Sequence, residues 1–250
     1  MLFSDLLSFG GLKCMKYLHN LAGFLCAFCL MAILLITSVE AVAYWIPGYY
    51  EREYEKYQVL DDLPSMTMDD LLTVTDEMMA YLRGDREDLH VYTTMGGEYR
   101  EFFNEREIAH MEDVRGLFLA AIQIRRAAVV LIALCLVFLV ATKAKLSQIL
   151  PRAICVGMGG IFLIGAGLGA LIASDFNRYF VIFHHIFFNN DLWILNPATD
   201  MLINIVPEPF FMDTAFLILA IFGISTAIIF GISFFLWRKV RKTAFTCREK

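Results

Sequence analysis

The chain has 250 residues, 58% of them hydrophobic, with 22 Phe and only 19% charged side chains. That composition excludes an ordinary water-soluble domain and suits a single polytopic membrane domain. The net charge of −5 matters less than its placement, because charge asymmetry across the bilayer sets how the spans are oriented.

Residues 1–20 mix Leu and Phe with Lys13, Lys16 and His19 and read as an interfacial, cytoplasmic N-terminus. The apolar run 21–43 follows. Its basic flank and the small residues Ala41 and Ala43 resemble a signal peptide, but the run is longer than a signal core. Tyr44, Trp45, Tyr49 and Tyr50 then form an aromatic belt, so a retained transmembrane helix is expected. Further spans are expected over 117–142, 154–174 and 214–237, each reaching ~30 Å as a helix. Between the first two, Val39 to Leu117 carries 19 of the 26 acids against seven Arg and Lys, a net charge of −12 that no lipid interior accepts. The linker 143–153 holds Lys143, Lys145 and Arg152 and no acid, and the tail 238–250 is strongly basic. The positive-inside rule therefore puts both termini and this linker in the cytoplasm, and segments 44–116 and 175–213 outside. The expected fold is an all-α membrane protein, four transmembrane helices with an extracellular, partly helical cap.

Cys14 and Cys247 fall on the inner side and Cys26, Cys29, Cys135 and Cys155 within spans, so no disulfide framework is implied. The pair Cys26 and Cys29 has redox-like spacing but lies inside an apolar run and reads as packing. In the cap, Met68 to Arg83 places Leu71, Leu72, Thr75, Met78, Met79 and Leu82 on one helical face, with Pro64 near its start and Gly84 as its stop. His90 falls in an exposed loop, and Gly96 and Gly97 mark a turn. In the stretch EYREFFNEREIAHMEDVRGL, Phe103, His110, Val114 and Leu117 share a face, with Arg106 and Glu107 one turn before the histidine and Asp113 nearly one turn after. A histidine there is either a packed core residue or a proton carrier. That helix runs on into span two, where Arg125 and Arg126 anchor at the headgroups. Span three carries Gly157, Gly159, Gly160, Gly165, Gly167 and Gly169, a pattern that predicts close helix packing. Segment 175–213 is too apolar for an ordinary loop, is broken by Pro197, Pro207 and Pro209, and is expected to fold back at the membrane surface.

Within it lies Phe183 to Asp200, FHHIFFNNDLWILNPATD. His110 and either His184 or His185 leave the outer ends of spans and can meet there; two neutral imidazoles suit proton transfer, one as base and one as acid. Phe183, Phe187, Phe188 and Trp193 offer an aromatic wall that excludes water and holds acyl chains. This suits acyl transfer on a lipid better than hydrolysis. His110, His184, His185 and Asp191 are zinc ligands in type, but adjacent histidines on a helix point about 100° apart and no HExxH or cysteine cluster is present, so no metal is expected. There is no GxSxG elbow, phosphate loop or nucleic-acid face. A lipid hydrolase and a non-catalytic lipid-binding membrane protein are the competing readings.

The motifs EREIAHMEDVRGLF (Glu105 to Phe118) and FHHIFFNNDLWILNPATD, together with the four-span layout and outer cap, resemble the bacterial lipoprotein intramolecular transacylases over essentially the whole chain. The resemblance implies an enzyme of the bacterial cell membrane that acts on a diacylglyceryl-modified lipoprotein amid membrane lipid. The acyl chain at the glyceryl sn-2 oxygen would move to the α-amine of the N-terminal cysteine, giving the lyso form, with no cofactor. Two histidines at the cap–membrane boundary are implied as catalytic; by motif position they are His110 and His184, with His185 the alternative. Asp113 is a candidate for fixing an imidazole tautomer, and Asn189, Asn190 and Asp191 for stabilising the oxyanion or shaping the turn. A monomer is expected.

Overall fold

The computed structural model describes residues 2–63 and 66–246, with side chains from Cys14 to Lys242. Pro64, Cys247 and the side chain of Lys13 lie outside the described residues. In lipid, backbone polar groups must be satisfied within the segment, and the apolar runs accordingly form helices. Among the described residues, four helices are long and apolar enough to cross a membrane. They are α1 (Leu2–Glu40, continued by a π-helical turn, Ala41–Trp45), α4 (Glu105–Ala141), α5 (Leu146–Ser174) and α8 (Glu208–Thr246). The shorter elements are helices α2 (Tyr49–Lys56), α3 (Met68–Arg83), α6 (Phe176–Phe187) and α7 (Leu202–Ile205), a 3₁₀ turn (Val59–Asp62), and strands β1 (Tyr92–Met95) and β2 (Glu98–Glu101).

The chain divides into two compact units. The first comprises the described residues up to Thr37, Ile124–Leu168 and those from Ile221 onward. Its core groups Ala22 and Cys26 of α1 with Cys135 and Leu139 of α4, and Phe138, Leu146 and Ile149 pack around them. Cys26, Cys29, Cys135 and Cys155 are buried free thiols. Between α4 and α5 the chain turns through Lys143 in the left-handed region (φ 54°). The Lys143 N–H returns to the Val140 carbonyl (2.9 Å) and the Ala144 N–H to that of Leu139 (2.8 Å), a Schellman closure that frees α5 to begin within the basic linker. Of the glycines from span three that lie in this unit, only Gly157 makes a tight approach, an added Cβ standing 3.2 Å from Ala27 Cβ; Gly160, Gly165 and Gly167 have nothing within 4 Å. The tightest approach is at Gly23 of α1, where a Cβ would lie 2.8 Å from Ile149 Cγ2 and 3.1 Å from Ala153 Cβ.

The second unit comprises Ser38–Gln123 and Gly169–Ala220. Helix α3 starts with a capping box, Thr67 Oγ1 accepting the Asp70 N–H and Asp70 Oδ2 the Thr67 N–H (both 3.2 Å), and stops at Gly84 with φ 87°. Its buried face is wider than the sequence pattern alone indicates, adding Val74 and Tyr81 while Leu72 is only half-buried. Tyr49 and Tyr50 do not join a lipid-facing belt; they pack with Tyr54 and Phe210, and Tyr49 hydrogen-bonds Thr214 at 2.6 Å. Trp45 alone of the four stays largely exposed. Gly96 and Gly97 (φ 65° and 86°) form the two-residue turn of an antiparallel hairpin, with Met95 opposite Glu98.

Gly23 therefore sets the approach of α1 to α5. Gly23→Val is expected to lower the thermal stability of the purified protein, by about 1–3 kcal/mol, and Gly167→Ala to leave it unchanged or raise it. Detergent-solubilised unfolding curves compare the two directly.

Candidate active site

The site is built from the start of α4. Asn104 Oδ1 accepts the Glu107 N–H (3.0 Å) and Glu107 Oε2 accepts the Asn104 N–H (2.8 Å), a reciprocal cap that defines where the helix begins. The other oxygen of Glu107 accepts the N–H of Leu202 (2.5 Å), the first residue of α7. Both oxygens are occupied, and the residue has no exposed surface. Asn104 also donates to Asp200 Oδ1 (2.8 Å), while Asp200 accepts the Asn196 N–H (2.6 Å) and the Thr199 hydroxyl (2.9 Å). Burial pushes the Asp200 carboxyl up, but these donors outweigh it and hold the group below the usual carboxylate range. This network clamps the segment leading to α7 onto α4.

One turn beyond Glu107, His110 is buried at 7% exposure. Opposite it stands His184 of α6, also 7% exposed, with ring centroids 6.2 Å apart. Asp175 caps α6 by accepting the Arg178 N–H (3.1 Å), and the helical period then aligns Phe180, His184 and Phe188. His184 Nδ1 lies 2.7 Å from the Phe180 carbonyl oxygen. A carbonyl only accepts, so Nδ1 carries the proton and Nε2 presents a lone pair. Trp193 stacks on the same ring, centroids 4.7 Å apart at 29°, and Phe188 lies 5.5 Å from both histidine rings. Burial lowers the His184 pKa below the ordinary imidazole range; the Phe180 carbonyl opposes this and His185 adds to it. Two buried nitrogens beside this ring, His110 Nδ1 and Trp193 Nε1, have no hydrogen-bond partner among the described residues.

His110, His184, Phe188 and Trp193 are thus brought together. Asp113 is near but bonds Asn190 Nδ2 (2.8 Å) rather than an imidazole, and Asn190 Oδ1 accepts the Leu192 N–H (3.1 Å), so this pair shapes the turn. Asp191 is exposed and contributes its backbone carbonyl, to Arg106. Asn189 is exposed, as is His185, which touches Trp193 edge-on at 5.3 Å. Phe183 meets His184 edge-on at 5.5 Å and packs against Phe187 at 4.7 Å, though the two are 45% and 51% exposed; Phe180, 4.2 Å from His184, is an additional ring of the wall. Among the described residues no three His, Cys, Asp or Glu converge as a metal site. Glu107, Asn104, Asp200 and Phe180 escaped the sequence reading as site residues. The first two carried a legible signal, the N-x-x-E pattern of a helix cap ahead of an apolar run.

Residues 24–211 match the family model described as lipoprotein intramolecular transacylase Lit. The chain belongs to that family. The lipoprotein intramolecular transacylases are acyltransferases, so this is an enzyme, and its four apolar helices make it a multi-pass membrane protein. Its fold is shared with the membrane-integral lipoprotein intramolecular transacylase Lit from Bacillus cereus, at 20% identity and a TM-score of 0.74 over 91% of this chain and 99% of that one. Two variants of that protein, with one histidine replaced by arginine or by alanine, align at TM-scores of 0.72 and 0.69, with 21% and 20% identity. They cover 94% and 93% of this chain and 99% of their own. No curated protein sequence matches the chain.

Within this transacylase, Glu107→Ala would strand the N–H groups of Asn104 and Leu202 in a dry interior, at about 1–3 kcal/mol each. The variant is expected to unfold at a lower temperature and to lose most acyl-transfer activity, with Glu107→Gln, which keeps one carbonyl acceptor, intermediate in both. An unchanged melting curve for the alanine variant would contradict this role.

Proposed function

We propose that the enzyme moves the sn-2 acyl chain of an S-diacylglyceryl group to the α-amine of the same lipoprotein's N-terminal cysteine, giving the lyso form, with His110 and His184 as its acid–base pair. The observation that carries this reading is the pair itself: two buried imidazoles face each other, and one has its tautomer set by a main-chain carbonyl. The amine nitrogen attacks the ester carbonyl carbon while its proton passes to His184 Nε2. His184 hands that proton to neutral His110, and as the bond from that carbon to the glyceryl oxygen breaks the oxygen leaves with it, so each imidazole is charged in turn and both end neutral. A second charge is disfavoured at a ring-centroid separation of 6.2 Å, so the pair carries at most one added proton. The indole N–H of Trp193, buried without a partner among the described residues, is a donor suited to the tetrahedral oxyanion. Phe180 and Phe188 keep the ester dry.

Nucleophile and ester sit on one substrate, so orientation replaces a bimolecular encounter. Both histidines come from one chain, so the pair is complete without a second copy. The basic residues of the linker and of the tail support cytoplasmic termini, with the −12 segment and the site on the outer side of the bacterial cell membrane.

Mass spectrometric fragmentation of a lipoprotein's N-terminal lipopeptide tests the reading in a bacterium lacking the activity. Wild type is expected to leave an N-acyl group and a monoacylglyceryl thioether. His110→Ala and His184→Ala should fall by about 10²–10⁴-fold, while His185→Ala stays active. Release of free fatty acid instead would identify a hydrolase and overturn the proposal.

The pH dependence has a definite sign. Because burial lowers the His184 pKa, the neutral base persists below the ordinary imidazole range and is lost only as pH falls through the folded value. Followed by NMR, the His184 imidazole should therefore titrate below the ordinary value of about 6.5, while the substrate's α-amine, which attacks only as the free base, sets the acid limb of kcat/KM nearer ~8. A His184 titration at or above its ordinary value would contradict the effect of burial.

A further inference from the structure

The first unit contains a cavity of about 600 Å³ that the transacylation does not use. Three helices face it at helical spacing: α1 through Lys16, His19 and Asn20, the start of α5 and the residue before it through Lys145, Gln148, Ile149 and Arg152, and α8 through Trp237, Val240 and Arg241. Four of these are cations, Lys16, Lys145, Arg152 and Arg241, and no carboxylate lines the cavity among the described residues. Four like charges gathered around one space repel each other, so an anion between them is favoured. Asn20 and Gln148 add neutral amide donors, and Arg241 lies over the Trp237 ring, 5.6 Å from its centroid. His19 is turned to the Thr142 hydroxyl (2.9 Å), which leaves the anion to the four cations and two amides.

Position identifies the class of anion. The cavity residues flank the apolar runs 21–43, 154–174 and 214–237 at three separate borders, the depth at which lipid headgroups lie. Ile149, Val240 and Trp237 supply an apolar side next to the cations. We propose that this cavity is a binding site for a phosphate-bearing anion, the headgroup of an anionic membrane lipid, whose phosphate sits among Lys16, Lys145, Arg152 and Arg241. A basic pocket between membrane helices is suited to such a headgroup, and a soluble phosphate would share the cationic contacts while leaving the apolar side unused.

Native mass spectrometry of the full chain in neutral detergent tests this, with phosphatidylglycerol, phosphatidylcholine and inorganic phosphate titrated separately and in competition. One phosphatidylglycerol should be retained at concentrations where phosphatidylcholine is not. Lys145→Gln with Arg152→Gln should weaken that retention at least ~tenfold, whereas the charge-matched control Lys143→Gln with Arg238→Gln, outside the cavity, should keep it. If the first double variant fails to fold, Lys16→Gln with Arg241→Gln removes the same charge from the other two helices. Equal retention of the two lipids, or equal loss in variant and control, would overturn the site. Displacement of phosphatidylglycerol by inorganic phosphate at equal concentration would overturn the lipid assignment in favour of a soluble phosphate.

Discussion

The buried carboxylate of Glu107 is the constraint on which the second unit depends. A carboxylate without exposed surface survives only if both oxygens are hydrogen-bonded, and here the start of α4 supplies one donor and the start of α7 the other, 95 residues later. The start of a long helix also carries partial positive charge, which favours a carboxylate in its first turn. Because the two donors are backbone groups, the contact fixes main chain to main chain. The segment that includes Trp193 then has one place to lie against α4, and that place puts His110 opposite His184.

The imidazole pair is oriented without a carboxylate. In a triad an acid holds the base in one tautomer; here the Phe180 carbonyl does so, one helical turn before His184, and the ring is stacked on Trp193. A carbonyl orients the ring without adding charge to a site walled by aromatic rings. Asp113 is diverted to Asn190, where it pins the turn before Trp193. The acids near the site therefore build the frame, and neither histidine of the pair is hydrogen-bonded to a carboxylate among the described residues.

In the first unit the problem is different, because lipid tails are as apolar as the side chains and give no drive to bury them. Helices associate there through close contact, and the tightest approaches fall at Gly23 and Gly157, while several of the other glycines of α5 have open space around them. The basic groups at the ends of these helices then gather around a cavity instead of dispersing, which gives this unit a chemistry of its own.

Local and one-dimensional properties were legible in the sequence by itself. Four apolar runs require four spanning helices, the placement of Arg and Lys carries the orientation argument, Gly84 ends α3, and His110 and the adjacent His184 and His185 stood out as histidines at the edges of such runs. What only the tertiary structure decided was pairing across long separations. It chose Asn190 over an imidazole for Asp113, added Phe180 as a ring 4.2 Å from His184, and set His184 rather than its exposed neighbour His185 opposite His110. It also made Gly96 and Gly97 a hairpin turn rather than a bare break, and Gly23 rather than most of the span-three glycines the close contact. The reason is physical. Periodicity and composition act within a few turns of chain, whereas a hydrogen bond between residues 77 or 95 positions apart exists only once two elements have been packed in a single register.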